Sequence, residues 1–132
     1  MSDEQLMSRP EPIWCIIANV MDEHHYGMEG KETRRGTRHF PPGAKVHCFP
    51  PLWGDGYTSI KVVGRHRGGH RYVTMVIPSK WLRNWRVSLV YSPHVITEMA
   101  DYWDGTEESK RLAEEMVQLM LVRTEVPHAE DH

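Results

Sequence analysis

The residues best suited to chemistry crowd into one stretch, GRHRGGHRYVTMVIP, at positions 64–78. Arg65, Arg67 and Arg71 stand with His66 and His70 around a Gly-Gly pair, and Lys61 lies just upstream. Guanidinium and ammonium groups neutralise phosphates and release their counterions, and the ring of Tyr72 offers a base something to stack on. Arg34, Arg35 and Arg38 supply three further cations earlier in the chain. Together these positions predict a polyanion-binding surface made of Arg34, Arg35, Arg38, Lys61, Arg65, Arg67, His70 and Tyr72, with nothing that reads base identity. The plainer account of the same residues is cross-strand packing of solvated side chains, with Arg65 lying on Tyr72.

Other chemistries are poorly served. The chain has nine histidines, but His47 and Cys48 are adjacent and, on a strand, would face opposite ways. Neither HExxH nor CxxC occurs, so no metal and no cofactor are expected. GxSxG, the P-loop and GxGxxG are absent too. Only two acids, Glu32 and Asp55, fall between residues 31 and 86, which leaves few general acids or bases there. Asp55, in WGDG, is expected to set a turn through its side chain. The chain is therefore expected to be a non-catalytic binding module rather than an enzyme.

The charge is segregated along the chain. A net charge of -2 conceals twelve bases against those two acids in residues 31–86, while residues 1–30 and 87–132 are both acidic. The basic middle calls for an anionic partner: nucleic acid, an acidic protein or peptide, or the acidic ends of a second copy in a homodimer. The N-terminus is polar and acidic, unlike a leader peptide, and no apolar run is long enough to span a bilayer, so no membrane partner is expected. Cys15 and Cys48 sit inside apolar runs and are expected to be buried thiols in a reducing cytoplasm, the alternative being a single disulfide between them.

The elements that must position these residues can be traced in order. Residues 1–11 and 125–132 are expected to be loose ends. PIWCIIANV predicts a buried strand at 12–20, followed by a long loop that carries the upstream arginines. Strands are expected at 44–49, 57–66, 71–77 and 85–91, with a turn or 3₁₀ segment between the last two. Gly68-Gly69 suits a two-residue type I′ turn with positive φ at both positions. The hairpin it closes would put Ile60, Val62, Gly64, Val73, Met75 and Ile77 on one face. Lys61, Val63, Arg65, Arg67, His70, Tyr72 and Thr74 would take the other, and a one-residue slip would mix the two sets. Ser92-Pro93 predicts a capped helix over 93–103, and Thr106 caps a second over 107–123. Leu112, Ala113, Met116, Leu119, Met120 and Val122 form its apolar side.

One strand, a long loop, a strand, a shorter loop, a tight hairpin, a 3₁₀ turn and a closing strand resemble the SH3-like small barrels. The likeness covers residues 12–91 and rests on element order and loop length; the two helices at 92–124 would be an addition. It implies a mainly β, α+β molecule built on a five-stranded SH3-like barrel. The acidic ALYDY-type motif of signalling SH3 domains is absent, so the resemblance implies binding of some kind and not a particular ligand. In such barrels the loops around Trp53, Tyr57 and Trp81 border a peptide groove, which makes these three the candidate groove aromatics. Trp85 is expected in the core by its phase, and the competing role for Trp81 is to seal the barrel end.

Overall fold

The computed structural model describes residues 11–21, 39–51 and 56–125. Arg34, Arg35, Arg38, Trp53 and Asp55 lie outside the described residues, as do residues 1–10 and 126–132. The chain runs β1 (Ile13–Val20), β2 (Lys45–Cys48), β3 (Ser59–Arg65), β4 (Tyr72–Pro78), a 3₁₀ turn (Ser79–Trp81), β5 (Leu82–Val90), α1 (Pro93–Met99) and α2 (Glu107–Glu125). The five strands form one antiparallel sheet in the order β4-β3-β2-β1-β5, so the fold is mainly β with two helices. No ladder joins β4 to β5. The sheet is open, with those two strands as its edges, where the sequence predicts a closed barrel.

β1 occupies the middle of the molecule, between β2 and β5, and its composition follows from that. Ile13, Cys15 and Ile17 are buried on one face, and Ile16, Ala18 and Val20 on the other. A strand covered on both sides loses the alternation of a half-exposed one and reads as a continuous apolar run. α1 lies on the Cys15 face: Met99 Sδ is 3.4 Å from Cys15 Sγ, and the His94 ring stacks on Tyr72 of β4. On the opposite face Gly64 lies under Phe40 and Val46. A Cβ there would come within 3.0 Å of the Phe40 ring and 2.9 Å of Val46 Cγ1. That face closes because position 64 has no side chain.

The β3–β4 register is the predicted one, from Ser59 opposite Pro78 to Arg65 opposite Tyr72. The turn is not. Gly68 and Gly69 lack positive φ; among the described glycines only Gly43 and Gly56 have it. His66 N–H bonds the Arg71 carbonyl at 2.8 Å and Gly69 N–H reaches back to the His66 carbonyl at 3.3 Å, so the loop holds four residues rather than two. Arg67 N–H, which a two-residue turn would commit to His70, donates to the His39 carbonyl at 2.8 Å. A tertiary contact thus displaces the local preference.

β5 begins at Leu82, three residues ahead of expectation. Its ladder with β1 shifts between Ile17 and Asn19, and Asn84 takes a left-handed φ of 59°. That bulge breaks the alternation from which a strand is recognised. α1 stops at Met99 instead of running to 103, because the N–H groups of Tyr102 and Trp103 both bond the Met99 carbonyl and end the helix. The turn swings Trp103 inward, where its Nε1 donates to the Cys48 carbonyl at 3.0 Å. Ser92 takes the N-cap position without a side-chain capping bond. Thr106 does cap α2, its Oγ1 accepting from Ser109 N–H at 3.1 Å. α2 buries Ala113, Val117 and Met120, whereas Leu112, Leu119 and Val122, expected on its apolar side, are exposed.

Both cysteines are buried and free. Cys48 sits opposite Ile16 and shares its face, while Cys15 points to the other, so no disulfide joins them. Burial pushes the Cys15 thiol up to about 12, which makes it an inert core side chain. Among the described residues no helix is long and apolar enough to cross a membrane.

Candidate functional site

The alternation of β3 and β4 decides what is presented. Lys61, Arg65 and Tyr72 share the face on which α1 lies, and Arg67, His70 and Arg71 are exposed around the hairpin loop. Of the predicted polyanion residues, Lys61, Arg65, Arg67 and His70 are exposed. Lys61 leans over Phe49, its Nζ 4.7 Å from the ring centroid, and Phe49 in turn meets the Tyr102 ring edge-on at 5.3 Å. Tyr72 is half-buried. Its ring is stacked on His94, with centroids 4.8 Å apart and planes 19° from parallel, so one face already has an aromatic neighbour.

The groove aromatics fare worse. Trp81 is 2% exposed, because the 3₁₀ turn directs it into the core, where it seals rather than receives. Ser79 holds that turn against the preceding loop through Oγ to the Tyr57 carbonyl at 2.7 Å and N–H to the Thr58 carbonyl at 2.9 Å. Tyr57 itself has a left-handed φ of 68° and packs partly against the core.

Residues outside the predicted polyanion set complete the basic region. His39 meets His66 edge-on with ring centroids 5.7 Å apart, beside Arg71 and Arg67. His66 Nδ1 accepts the Gly68 N–H at 3.0 Å, which braces the loop and requires that nitrogen to be unprotonated. Partial loss of solvent, then the charges of Arg71, His39 and Arg67, hold His66 below its ordinary value. Deeper in the sheet, His47 is 8% exposed, with Nδ1 buried and unpartnered. Burial first, and then the charges of Lys45 and Arg86, bring it down to about 4, against a hydrogen bond with the Val63 backbone. Arg86 is bound at 2.8 Å to Asn19 Oδ1 and to the Asn84 carbonyl, both neutral acceptors.

The electrostatic character of the surface follows from what is missing in it. Among the described residues, β1 to β5 contain no aspartate or glutamate, and Lys45, Arg65, Arg71 and Arg86 form no ion pair with a carboxylate. The arrangement suits multivalent, non-covalent capture of negative charge. It brings Arg65, Arg67 and His70 to the hairpin end of β3 and β4, places Lys61 four residues back along β3 on the face of Arg65, and leaves Trp81 buried. Among the described residues no three histidine, cysteine, aspartate or glutamate side chains converge as a metal site. Comparison with protein-family models, with curated proteins and with solved structures finds no match to this chain.

Proposed function

We propose that the protein is a non-catalytic binding module that holds a polyanion, nucleic acid first, against its basic hairpin and the adjoining strands. The observation that carries this reading is a set of like charges with no carboxylate among the described residues to answer them, Arg65 and Arg71 foremost. Flexible cationic side chains on a strand pair favour phosphate backbones over particular bases. An SH3-like architecture is supported by the strand order β4-β3-β2-β1-β5 and by the 3₁₀ turn before the last strand. Such modules present ligands at hairpin ends and between loops.

A salt titration of binding to mixed-sequence DNA and RNA tests the proposal. Four phosphates engaged through Lys61, Arg65, Arg67 and Arg71 give a slope of log affinity against log salt of roughly -3 to -4. Arg65→Glu with Arg71→Glu should flatten that slope and release the protein from heparin at lower salt. Absence of binding at low salt overturns the reading. A second reading, a protein-interaction module that forms a homodimer through its acidic helices, draws on Leu112, Leu119 and Val122, exposed on α2 beside Glu108 and Glu115. Dissociation of a dimer by the same double variant would favour it.

A further inference from the structure

β4 is an edge strand of seven residues, Tyr-Val-Thr-Met-Val-Ile-Pro, with no charged side chain in it and no break in its ladder. The bond from His66 N–H to the Arg71 carbonyl fixes the phase of that ladder, and the bond from Phe49 N–H to the Lys61 carbonyl fixes the same phase from β2. Antiparallel pairs alternate, so Val73, Met75 and Ile77 bond inward to β3. Tyr72, Thr74 and Val76 therefore turn their N–H and C=O groups outward. Among the described residues no backbone group meets them. Thr74 and Val76 are exposed, Val76 at 54%, although its side chain is aliphatic. Proteins normally blunt such an edge with charge, proline or a bulge, and β4 has only Pro78 at its end.

We propose that this edge accepts an extended peptide strand from an acidic partner, whose backbone adds to the sheet as a sixth strand. The charge pattern selects the occupant. Alternate side chains of an added strand would lie on the face of Tyr72, Thr74 and Val76, within reach of Lys61 and Arg65 one strand further in; carboxylates fit there. The remaining side chains would lie beside the half-buried Val73 and Met75, where apolar residues fit. A second copy of β4 would bring its own Lys61 and Arg65 towards these, so like charges oppose self-pairing. The edge shares Lys61 and Arg65 with the nucleic-acid surface, but the outward backbone groups of Tyr72, Thr74 and Val76 take no part in that reading, and strand addition does not depend on it.

The full chain is titrated with a short labelled peptide alternating Glu and Val, and with one alternating Lys and Val, by fluorescence anisotropy. The acidic peptide should bind and the basic one should not. Thr74→Pro removes a single outward N–H from an edge position that tolerates proline, and should weaken binding about tenfold or more. Thr74→Ala keeps the N–H and should bind like the wild type. Should Thr74→Pro fail to fold by circular dichroism, amide hydrogen exchange on the wild type decides: Thr74 and Val76 should gain protection with the acidic peptide. Unchanged binding by a folded Thr74→Pro protein, or no gain in protection, overturns the proposal. So does a concentration-dependent dimer that Thr74→Pro dissolves, since the occupant would then be a second copy. DNA and RNA binding measured on Thr74→Pro should stay at the wild-type level, and if the wild type binds the peptide but no nucleic acid, only the preceding reading falls.

Discussion

The hairpin loop and the start of α2 are both dense in charge, and they handle it in opposite ways. At the start of α2 each group has a local answer. Asp104 Oδ1 accepts from the N–H and hydroxyl of Thr106, Thr106 caps Ser109, and Ser109 Oγ accepts from Asp104 N–H at 3.0 Å. Those bonds from Thr106 hold the Asp104 carboxyl below its usual range. Lys110 lies over the Trp14 ring, Arg111 faces Glu115 at 3.6 Å, and Glu107 and Glu108 occupy the positive end of the helix dipole. Around the hairpin, Arg65 and Arg71 meet no carboxylate among the described residues. Charge that is answered locally serves the fold, and charge left unanswered is available to a partner.

That contrast can be tested by disturbing each region in turn. The largest effect should come from the residue that joins the helices to the sheet. Trp103 is 1% exposed and its Nε1 bonds the Cys48 carbonyl, so Trp103→Ala should cost about 3–5 kcal/mol in urea unfolding. A loss below about 1 kcal/mol would mean that helices and sheet are only loosely joined.

Acid comes next. The folded value for His47, about 4, lies below its unfolded value of 6.5. The unfolded chain therefore takes up the proton first, and the stability held by neutral His47 is complete above pH 6.5 and drains as pH falls towards 4. The loss should approach about 3 kcal/mol. His47→Leu should flatten this part of the pH profile, and an unchanged profile would assign the acid sensitivity to another group.

Thr106→Ala should cost about 1 kcal/mol, with Thr106→Ser restoring most of it. Smallest of all is the pair that most directly contrasts the two regions. Arg111→Gln should lose about 0.3–0.5 kcal/mol. Arg71→Gln should lose nothing, while the His66 ring resonances titrate at higher pH by NMR. If Arg71→Gln destabilised as much as Arg111→Gln, the hairpin charge would already have a partner within the fold.

How much of this was legible in the sequence depended on how local the cause was. The β3–β4 register was written in the alternation of Ile60, Val62 and Gly64 against Val73, Met75 and Ile77, and the exposure of Lys61 and Arg65 came with it. The loop conformation was not, because the His39 carbonyl claims Arg67 N–H from far along the chain. The start of β5 was hidden by the bulge at Asn84, and the end of α1 by the demand of Cys48 on Trp103. On α2 the apolar residues span more than one face, so spacing places Leu112 and Leu119 on the apolar side while Val117 takes the buried position. Trp81 had a groove residue's neighbours in sequence and a core residue's position in space. His39 and His94 join the basic region through contacts that spacing does not encode.

The placement of β1 has a consequence for how the chain is made. This strand precedes the other four in the chain, yet β5, its neighbour on one side, spans Leu82–Val90, and Asp104 supplies the carbonyl for Trp14 N–H at 2.9 Å. The β3–β4 hairpin can close as soon as it emerges, whereas β1, which can pair early with β2, gains its second ladder only when β5 follows. Until then the edge of β1 that receives β5 has no ladder. Slower, cooler synthesis or a chaperone that shelters residues 12–20 should therefore raise the soluble yield more than any improvement to the basic hairpin.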